Sequence, residues 1–265
     1  MLTVLMPVAS VNKFFEISVC SVKNQTYKDF ICHIICKKLN SESLRHIKSI
    51  IGNDSRFEIH ELELDGINFA LNYGLNLVKT KYMARMDADD YSFPTRFEKQ
   101  IKFLEENPKY VMVGCRVQMV DDEDKKIIQQ FKFYQGDKKI RRALKYRMPL
   151  CHPAVMFRSS TMFKYKGYMY GNTSEDHELY IRIARDPENL FENISEHLFN
   201  YRRNKYQLTD MRNAWDSYTD IGGFLFTEFL RTWNILYIVG VIAVHPFFRN
   251  IRKLLRDIKG KFIDP

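Results

Sequence analysis

Residues 66–90, GINFALNYGLNLVKTKYMARMDADD, decide the fold class of this chain. Apolar residues recur at helical spacing from Gly66 to Val78, and the short apolar run from Tyr82 to Met86 predicts a buried strand. This strand leads directly into Asp87-Ala88-Asp89-Asp90. A helix, a buried strand and a polar loop in this order indicate an α/β domain, in which ligands bind beyond the carboxyl ends of the strands.

The same alternation of strands and helices precedes this stretch. We predict strands at 2–8, 30–36 and 57–62 and helices at 12–23 and 41–51, with Ser41 as the N-cap of the second helix. Strands that alternate with helices predict a doubly wound, mostly parallel sheet.

The second half of the chain departs from this alternation. We predict helices at 94–105, 137–146 and 174–185, and strands at 110–120, 126–133 and 154–157, with an edge strand at 198–201. The strands at 110–120 and 126–133 flank the acidic turn DDED, so they would form a small antiparallel excursion of the sheet.

The composition indicates one large folded domain with an excess of positive charge. The chain has 265 residues, of which 45% are hydrophobic, and a formal net charge of +9. Such a charge suits nucleic acid, an anionic membrane surface or a polyanionic substrate. No arginine-rich arm, zinc-finger spacing or RNP-type motif is present, so nucleic acid is not expected as a partner. Five cysteines without a CxxC pair, and an N-terminus unlike a signal peptide, predict free thiols in the cytoplasm.

The C-terminal segment is hydrophobic and then basic. Residues 232–248 contain no Asp, Glu, Lys or Arg, and residues 249–261 contain six Lys or Arg against one Asp. Seventeen uncharged residues are close to the shortest length that spans a bilayer, and Pro246 would interrupt the helix. Three interpretations are open: a helix on the membrane surface within 224–261, ordinary packing or a homodimer interface, and a true span.

The two carboxylates at Asp87 and Asp89 are candidates for a metal site. Mg²⁺ and Mn²⁺ prefer oxygen ligands and keep positions free for phosphate oxygens of a substrate. A cation held there would bridge a diphosphate and neutralise it as a leaving group. The alternative interpretation is an acidic loop that precedes the helix beginning at Pro94.

Other polar groups lie near predicted strand and helix ends. Glu175 and Asp176 open a helix, where they act either as a general base for a hydroxyl or only as favourable charges behind an N-cap at Ser174. His152 precedes a strand and is either structural or part of a binding site. Three arginines could bind phosphate or pair with acids: Arg85, Arg202 and Arg203.

Five segments carry a family resemblance: VLMPVASVNKFFEISVCSVKNQTYKDF, the block from GINFAL to LEENP that contains DADD, MPLCHPAVMFRSS, TSEDHELYIRIA and NYRRNKYQLT. Over residues 2–210 they resemble, in order and spacing, the family 2 inverting glycosyltransferases of GT-A fold, of the bacterial surface-polysaccharide type. The resemblance implies a GT-A-like α/β fold with a helical C-terminal extension. It divides the chain into a transferase domain at 1–207 (nucleotide-sugar half 1–106, acceptor half 107–207) and an extension at 208–265.

The resemblance also implies a role for each matched residue. Asp87-Ala88-Asp89 matches the DxD motif, which binds the ribose and the metal-bridged diphosphate, so Mn²⁺ or Mg²⁺ is the implied cofactor. Asp176, beside Glu175, matches the catalytic base. The loop that cradles the nucleoside corresponds to Pro7, Val8 and Ala9, and Arg85 and His152 are expected at the same donor site.

The implied reaction moves a sugar from a nucleotide-sugar, a UDP-sugar by default, to a hydroxyl with inversion. The C-terminal segment favours a glycan or lipid-linked glycan acceptor at the inner face of the cytoplasmic membrane.

The chain departs from the family pattern at the nucleobase end. Cys36-Lys37-Lys38 stands where the family has its base-reading aspartate, and Ala9-Ser10 replaces the usual Tyr-Asn. The alternative function is therefore a catalytically impaired binding module. A dehalogenase-type phosphatase is disfavoured because DxD lies on the fourth strand, and a dinucleotide-binding oxidoreductase because no GxGxxG follows the first.

Overall fold

The computed structural model describes residues 1–123, 125, 132–169, 174–203, 214–248 and 251. The strands of the described chain are β1 (Leu2–Val8), β2 (Phe30–Lys37), β3 (Phe57–Leu62), β4 (Tyr82–Arg85), β5 (Tyr91–Ser92), β6 (Tyr110–Val120), β7 (Met156–Arg158) and β8 (Leu190–Arg202). The helices are α1 (Phe15–Lys23), α2 (Ser41–Ile51), α3 (Ile67–Leu77), α4 (Arg96–Glu106), α5 (Asp137–Leu144), α6 (Ser159–Lys164), α7 (Glu175–Ala184), α8 (Ala214–Ser217), α9 (Gly223–Thr232) and α10 (Ile235–Val244). A 3₁₀ turn lies at His152–Ala154 and a π-helical segment at Tyr218–Gly222.

The eight strands form one sheet in the order β3-β2-β1-β4-β7-β6-β8-β5. Parallel pairing joins β3, β2, β1 and β4, and β6 pairs in parallel with β8. The antiparallel members are β7, which lies between β4 and β6, and the short β5 beside β8. This arrangement confirms the predicted α/β fold, a doubly wound, mostly parallel sheet.

The alternation of side chains along the strands explains why helices cover both faces of the sheet. In β1, Val4 and Met6 belong to one buried cluster, whereas Leu5 belongs to another on the opposite face. α3 packs close to the second face at Gly74, where an added Cβ would lie 2.5 Å from Ile35 Cδ1. Because both faces are covered, the open surface available to a ligand is the edge where the parallel strands end.

One sequence prediction about the sheet is wrong and one stays a prediction. The antiparallel pairing of 110–120 with 126–133 is untested because residues 126–131 lie outside the described residues, while β6 itself pairs in parallel with β8 and antiparallel with β7. The final strand is not an edge strand of four residues, because β8 begins at Leu190 and lies between β6 and β5. Polar residues within 190–197 interrupt the alternation of apolar and polar residues by which a strand is predicted. Asp121 N–H donates to Lys125 O, as expected for a turn that begins at Asp121.

The N-cap of α2 also differs from the prediction. Asn40 has extended backbone angles, and its side-chain Oδ1 accepts a hydrogen bond from Ser43 N–H at 2.8 Å. Ser41 is therefore the first helical residue. Both side chains are good caps, and spacing alone does not separate neighbours of this kind.

The C-terminal helices pack against α5 and α7 and expose their other side. Ile221, Leu225 and Tyr237 are buried in the same cluster as residues of α5 and α7. Glu228 is fully buried and forms an ion pair with Arg185 at 2.6 Å. The predicted boundary at 207 and most of the basic tail lie outside the described residues.

No helix among the described residues is long and apolar enough to cross a membrane. The uncharged stretch is divided at Trp233, whose φ of 55° ends α9, and α10 then begins after the N-cap Asn234. Ten residues of α-helix extend about 15 Å, which is roughly half of the hydrocarbon thickness.

Candidate active site

The candidate site lies at the edge of the sheet where its parallel strands end. β1 ends at Val8 beside the end of β2, and β4 continues into the carboxylates of 87–90. The 3₁₀ turn that contains His152 precedes β7, which runs antiparallel to β4, so it reaches the same edge. The topology therefore brings together segments that are up to 144 residues apart in the sequence, from Val8 to His152.

Arg85 positions the first carboxylate of the DxD motif. Its side chain is 2% exposed and donates from Nη2 to Asp87 Oδ1 at 2.6 Å. Nη1 donates to the carbonyl oxygens of Leu5 and Met86. The backbone of Asp87 is held from the other side, because Ser18 Oγ donates to its carbonyl oxygen at 2.7 Å. Of the two roles left open for Arg85, pairing with a neighbouring acid is the one that the structure displays.

Asp90 connects the carboxylate loop to the end of β8. It is buried, and its Oδ1 accepts a hydrogen bond from Arg202 N–H at 2.8 Å. The Arg202 side chain donates to the carbonyl oxygens of Asp89 and Asp121 and stacks on Phe14. Burial and the neighbouring Asp87 and Asp89 raise the pKa of Asp90 well above its usual range. Arg202 therefore tethers the loop.

A histidine at this edge of the sheet lies beside two carboxyl groups. His152 is 8% exposed, and its Nδ1 lies 3.7 Å from Glu175 Oε1 and 4.0 Å from Asp176 Oδ2. Its Nε2 lies 2.9 Å from Tyr168 Oη. Ser174 occupies the N-cap position of α7 but makes no side-chain cap hydrogen bond, so its predicted capping role is not observed. Glu175 and Asp176 do lie in the first turn, where the helix dipole favours negative charge.

Burial controls the ionisation of this group. It raises the pKa of Glu175 to about 8, with the negative charge of Asp176 as the next cause. It also raises the pKa of Asp176 to about 6, against hydrogen bonds from backbone N–H groups that lower it. Burial and the nearby Arg85 lower the pKa of His152 well below its usual value, so its imidazole is neutral. Burial therefore favours the protonated form of both acids, and of Glu175 more strongly than of Asp176.

The DxD and α7 carboxylates share one electrostatic environment. Beside the larger effect of burial, Arg85 lowers and Asp87 raises the pKa of both Glu175 and Asp176, so these four ionisable groups interact with one another. The structure thus brings together the two groups that the sequence analysis treated as separate candidates.

The donor atoms of the loop suit a hard divalent cation. Asp87, Asp89 and Asp90 offer only oxygen, and the buried Oδ2 of Asp90 has no hydrogen-bond partner among the described residues. Asp87 is one-third exposed and has one oxygen engaged by Arg85. Oxygen-rich sites of this kind match the preferences of Mg²⁺ and Mn²⁺.

The predicted nucleoside loop lies beside the altered nucleobase region. Val8 is buried next to Cys36, while Ala9 is exposed. Lys37, which replaces an expected acid, forms an ion pair with Asp65 from the segment after β3. A carboxylate is therefore present at this end of the site, although it comes from the segment that follows β3.

Sequence reasoning missed three polar groups of this site. Tyr168 contacts His152, Ser18 holds the Asp87 backbone, and the carboxylate of Asp90 receives Arg202 N–H. Ser18 lies on the buried face of α1, where a polar residue was a detectable signal. Tyr168 follows a turn that no local pattern connects to the site.

Comparison with known proteins shows the family of this chain. Residues 3–165 match the model of "Glycosyl transferase family 2", so the chain belongs to that family of sugar-transferring enzymes. The chain is 35% identical over 237 residues to the O-antigen biosynthesis glycosyltransferase WbnJ of Escherichia coli, which covers 89% of this chain and 91% of that protein.

Two solved structures share the fold. The S. aureus TarS 1–349 fragment in complex with UDP-GlcNAc superimposes with a TM-score of 0.64 at 12% identity, covering 84% of this chain and 66% of that one. The mannosyltransferase PcManGT of Pyrobaculum calidifontis, in complex with GDP-Man and Mn²⁺, gives 0.62 at 13% identity, covering 91% and 68%. These likenesses confirm the GT-A-like fold.

Proposed function

We propose that this chain transfers a glycosyl group from a nucleotide-sugar to an acceptor hydroxyl with inversion, and that Asp176 is the general base. The observation that carries the proposal is the pair Glu175 and Asp176, which lies beside His152 and interacts electrostatically with the Arg85–Asp87 ion pair. A base should have a pKa near the working pH and still be ionised, and burial gives Asp176 a pKa of about 6.

In the proposed step, the acceptor oxygen attacks the anomeric carbon while Asp176 takes its proton. The bond between the anomeric carbon and the phosphate oxygen breaks, and a nucleoside diphosphate leaves. Because His152 is neutral, it places no positive charge beside Asp176 that would lower the proton affinity of this carboxylate. Asp87 and Asp89 would hold Mn²⁺ or Mg²⁺, which supplies positive charge for the diphosphate.

For the donor we propose a nucleotide-sugar bound along Pro7–Ala9 and the carboxylate loop. Two proteins of the same fold are in complex with UDP-GlcNAc and GDP-Man, respectively. We expect a UDP-sugar by default. If the donor carries another nucleobase, the Lys37–Asp65 ion pair is the feature that would select it.

The test is a thermal shift series with UDP, GDP, CDP and dTDP, each with and without Mn²⁺. A nucleotide at 100 times its Kd stabilises the folded chain by about 2.7 kcal/mol. We expect one nucleotide to stabilise the wild type only with metal, and Asp89→Asn to remove that shift. Asp122→Asn, an exposed acid on a turn, is the matched control.

The rival proposal is an impaired binding module. It predicts that a nucleotide raises the melting temperature although no nucleotide-sugar is turned over. Replacement of Asp176 would then change no activity. Release of nucleoside diphosphate that depends on both Asp89 and Asp176 excludes it.

For the acceptor we propose a glycan, free or lipid-linked, presented at the inner face of the cytoplasmic membrane. Support comes from the apolar surface on α9 and α10, where Trp233 is 76% exposed and Ile235 is 64% exposed. The O-antigen role in the name of the WbnJ relative fits such an acceptor.

A further inference from the structure

Two histidines and a glutamate lie together on β2 and β3, away from the site described above. In the parallel register of these strands, His33 is opposite Glu58, and His60 lies two residues further along β3. Side chains two residues apart in a strand share a face, so all three lie on the face of the sheet that packs against α3. Tyr73 of α3 contacts the His60 ring at 5.7 Å between centroids.

The potential ligand atoms of this group are closely spaced. His33 Nδ1 lies 3.0 Å from His60 Nε2 and 3.3 Å from Glu58 Oε2, and His60 Nε2 lies 3.6 Å from the same oxygen. Within the described part of the chain, no other three His, Cys, Asp or Glu residues bring their ligand atoms within 4.8 Å of one another.

We propose that His33 Nδ1, His60 Nε2 and Glu58 Oε2 form a Zn²⁺ site. Zinc bonds of about 2.0–2.2 Å in tetrahedral geometry place the ligand atoms of a site about 3.3–3.5 Å apart. The three separations in this chain, 3.0, 3.3 and 3.6 Å, bracket that value before any ion is bound. Two imidazoles with one carboxylate are also an established ligand set for zinc.

The contact between the two histidines is compatible with metal binding. The side chain of His33 is 5% exposed and lies against the His60 ring. Without metal, the 3.0 Å contact between the two rings is a hydrogen bond that needs one proton on a facing nitrogen. A neutral imidazole can carry its proton on either nitrogen, so a change of tautomer frees both facing lone pairs without net loss of a proton.

The site has an open side and a structural position. Glu58 is 48% exposed, so a water molecule can reach the fourth coordination position from the direction of its side chain. The ligands lie in the interior of β2 and on β3, which is the terminal strand of the sheet. Zinc would therefore link the edge strand to its neighbour. This site is separate from the oxygen-only loop at 87–90, and the inference does not depend on the proposed transfer reaction.

The test uses the full chain, stripped with a chelator and titrated with Zn²⁺ against a chromogenic competitor. We expect one tight equivalent in the wild type, a loss of affinity of at least 10-fold in Glu58→Gln, and a larger loss in His60→Gln. His46→Gln is the matched control, because His46 is exposed on α2 and outside the group. Saturating Zn²⁺ should also raise the Tm of the wild type by about 5 °C or more, and not that of His60→Gln.

Co²⁺ identifies which site the metal occupies. Tetrahedral Co²⁺ absorbs visible light far more strongly than octahedral Co²⁺, so binding at this group gives an intense band that persists in Asp87→Asn/Asp89→Asn and is absent from His60→Gln. The proposal is overturned if the wild type and His60→Gln bind Zn²⁺ equally. It is also overturned if the Co²⁺ band is weak in both, in which case the three side chains form only a hydrogen-bonded cluster.

Discussion

At the scale of single residues, the ionisation of Asp176 sets the pH range in which the chain should work. Protonation removes the base, so kcat/KM should fall as pH decreases through about 6, the value to which burial raises this pKa. Since Glu175 and Asp176 interact, the midpoint belongs to the pair. A profile of initial rates with saturating metal measures it.

Replacement of the base should remove this acidic limb together with most of the activity. We expect Asp176→Asn to lower kcat by about 10²–10⁴-fold while nucleotide binding is kept. Asp122→Asn should leave kcat and the profile unchanged. A wild-type rate for Asp176→Asn would exclude Asp176 as the base.

The same carboxyl group should weaken the fold at neutral pH. Its pKa is higher in the folded chain than in the unfolded one, so the stability that it contributes is present below about 4 and is lost as pH rises to about 6. At pH 8 the free energy of unfolding of Asp176→Asn should therefore exceed that of the wild type by roughly 1–3 kcal/mol. The difference should shrink at pH 4, and urea titrations at both pH values measure it. An equal difference at both would show that ionisation is not the cause.

The residues of the site divide into those that local sequence predicts and those that only topology brings in. Asp87, Asp89 and Asp176 stand at a strand end and a helix start, positions where function can be read from neighbours. Tyr168 and the tether from Arg202 depend on which strands become adjacent, and pairing between β6 and β8 is a long-range event that spacing does not encode.

At the scale of elements, the sequence predicted the first half of the fold better than the second. β1 to β4 and the helices between them alternate regularly, and each predicted boundary lies within three residues of the observed one. β8 escaped because Glu192, Glu196 and His197 interrupt its apolar pattern. A strand that carries polar residues, as edge strands do, but has neighbours on both sides cannot be recognised from hydrophobicity alone.

The docking of α10 depends on the absence of a side chain at Gly240. A Cβ there would lie 2.4 Å from the carbonyl oxygen of Lys145, which is backbone and cannot move aside. We expect Gly240→Ala to destabilise the chain by about 1–3 kcal/mol. Gly223→Ala, in a position with nothing within 4 Å, should be neutral or slightly stabilising. Thermal melts of both variants test this, and equal Tm values would contradict the packing of α10.

At the scale of the whole molecule, positive charge and exposed aromatic residues should act together at a membrane. Trp233 and Phe247 are 76% and 61% exposed, and the net charge of the chain is +9. We expect co-sedimentation with anionic vesicles that weakens as salt rises, because screening reduces the attraction.

Variants separate the membrane surface from general stickiness. Trp233→Ala/Phe247→Ala should reduce vesicle binding several-fold, while Phe163→Ala, another exposed aromatic on α6, should not. If the wild-type chain does not bind anionic vesicles, the apolar surface would instead contact a second copy of the chain. A sizing experiment detects such a dimer.

The link between Asp90 and Arg202 also has a consequence for biosynthesis. The two residues are 112 positions apart, so the carboxylate loop emerges from the ribosome long before the segment that tethers it. A nascent chain that has completed β1 to β4 therefore holds the loop without its restraint. The ability to bind a nucleotide-sugar should therefore arise late in translation. Incomplete chains that end before Arg202 should not bind the nucleotide-sugars of the cell.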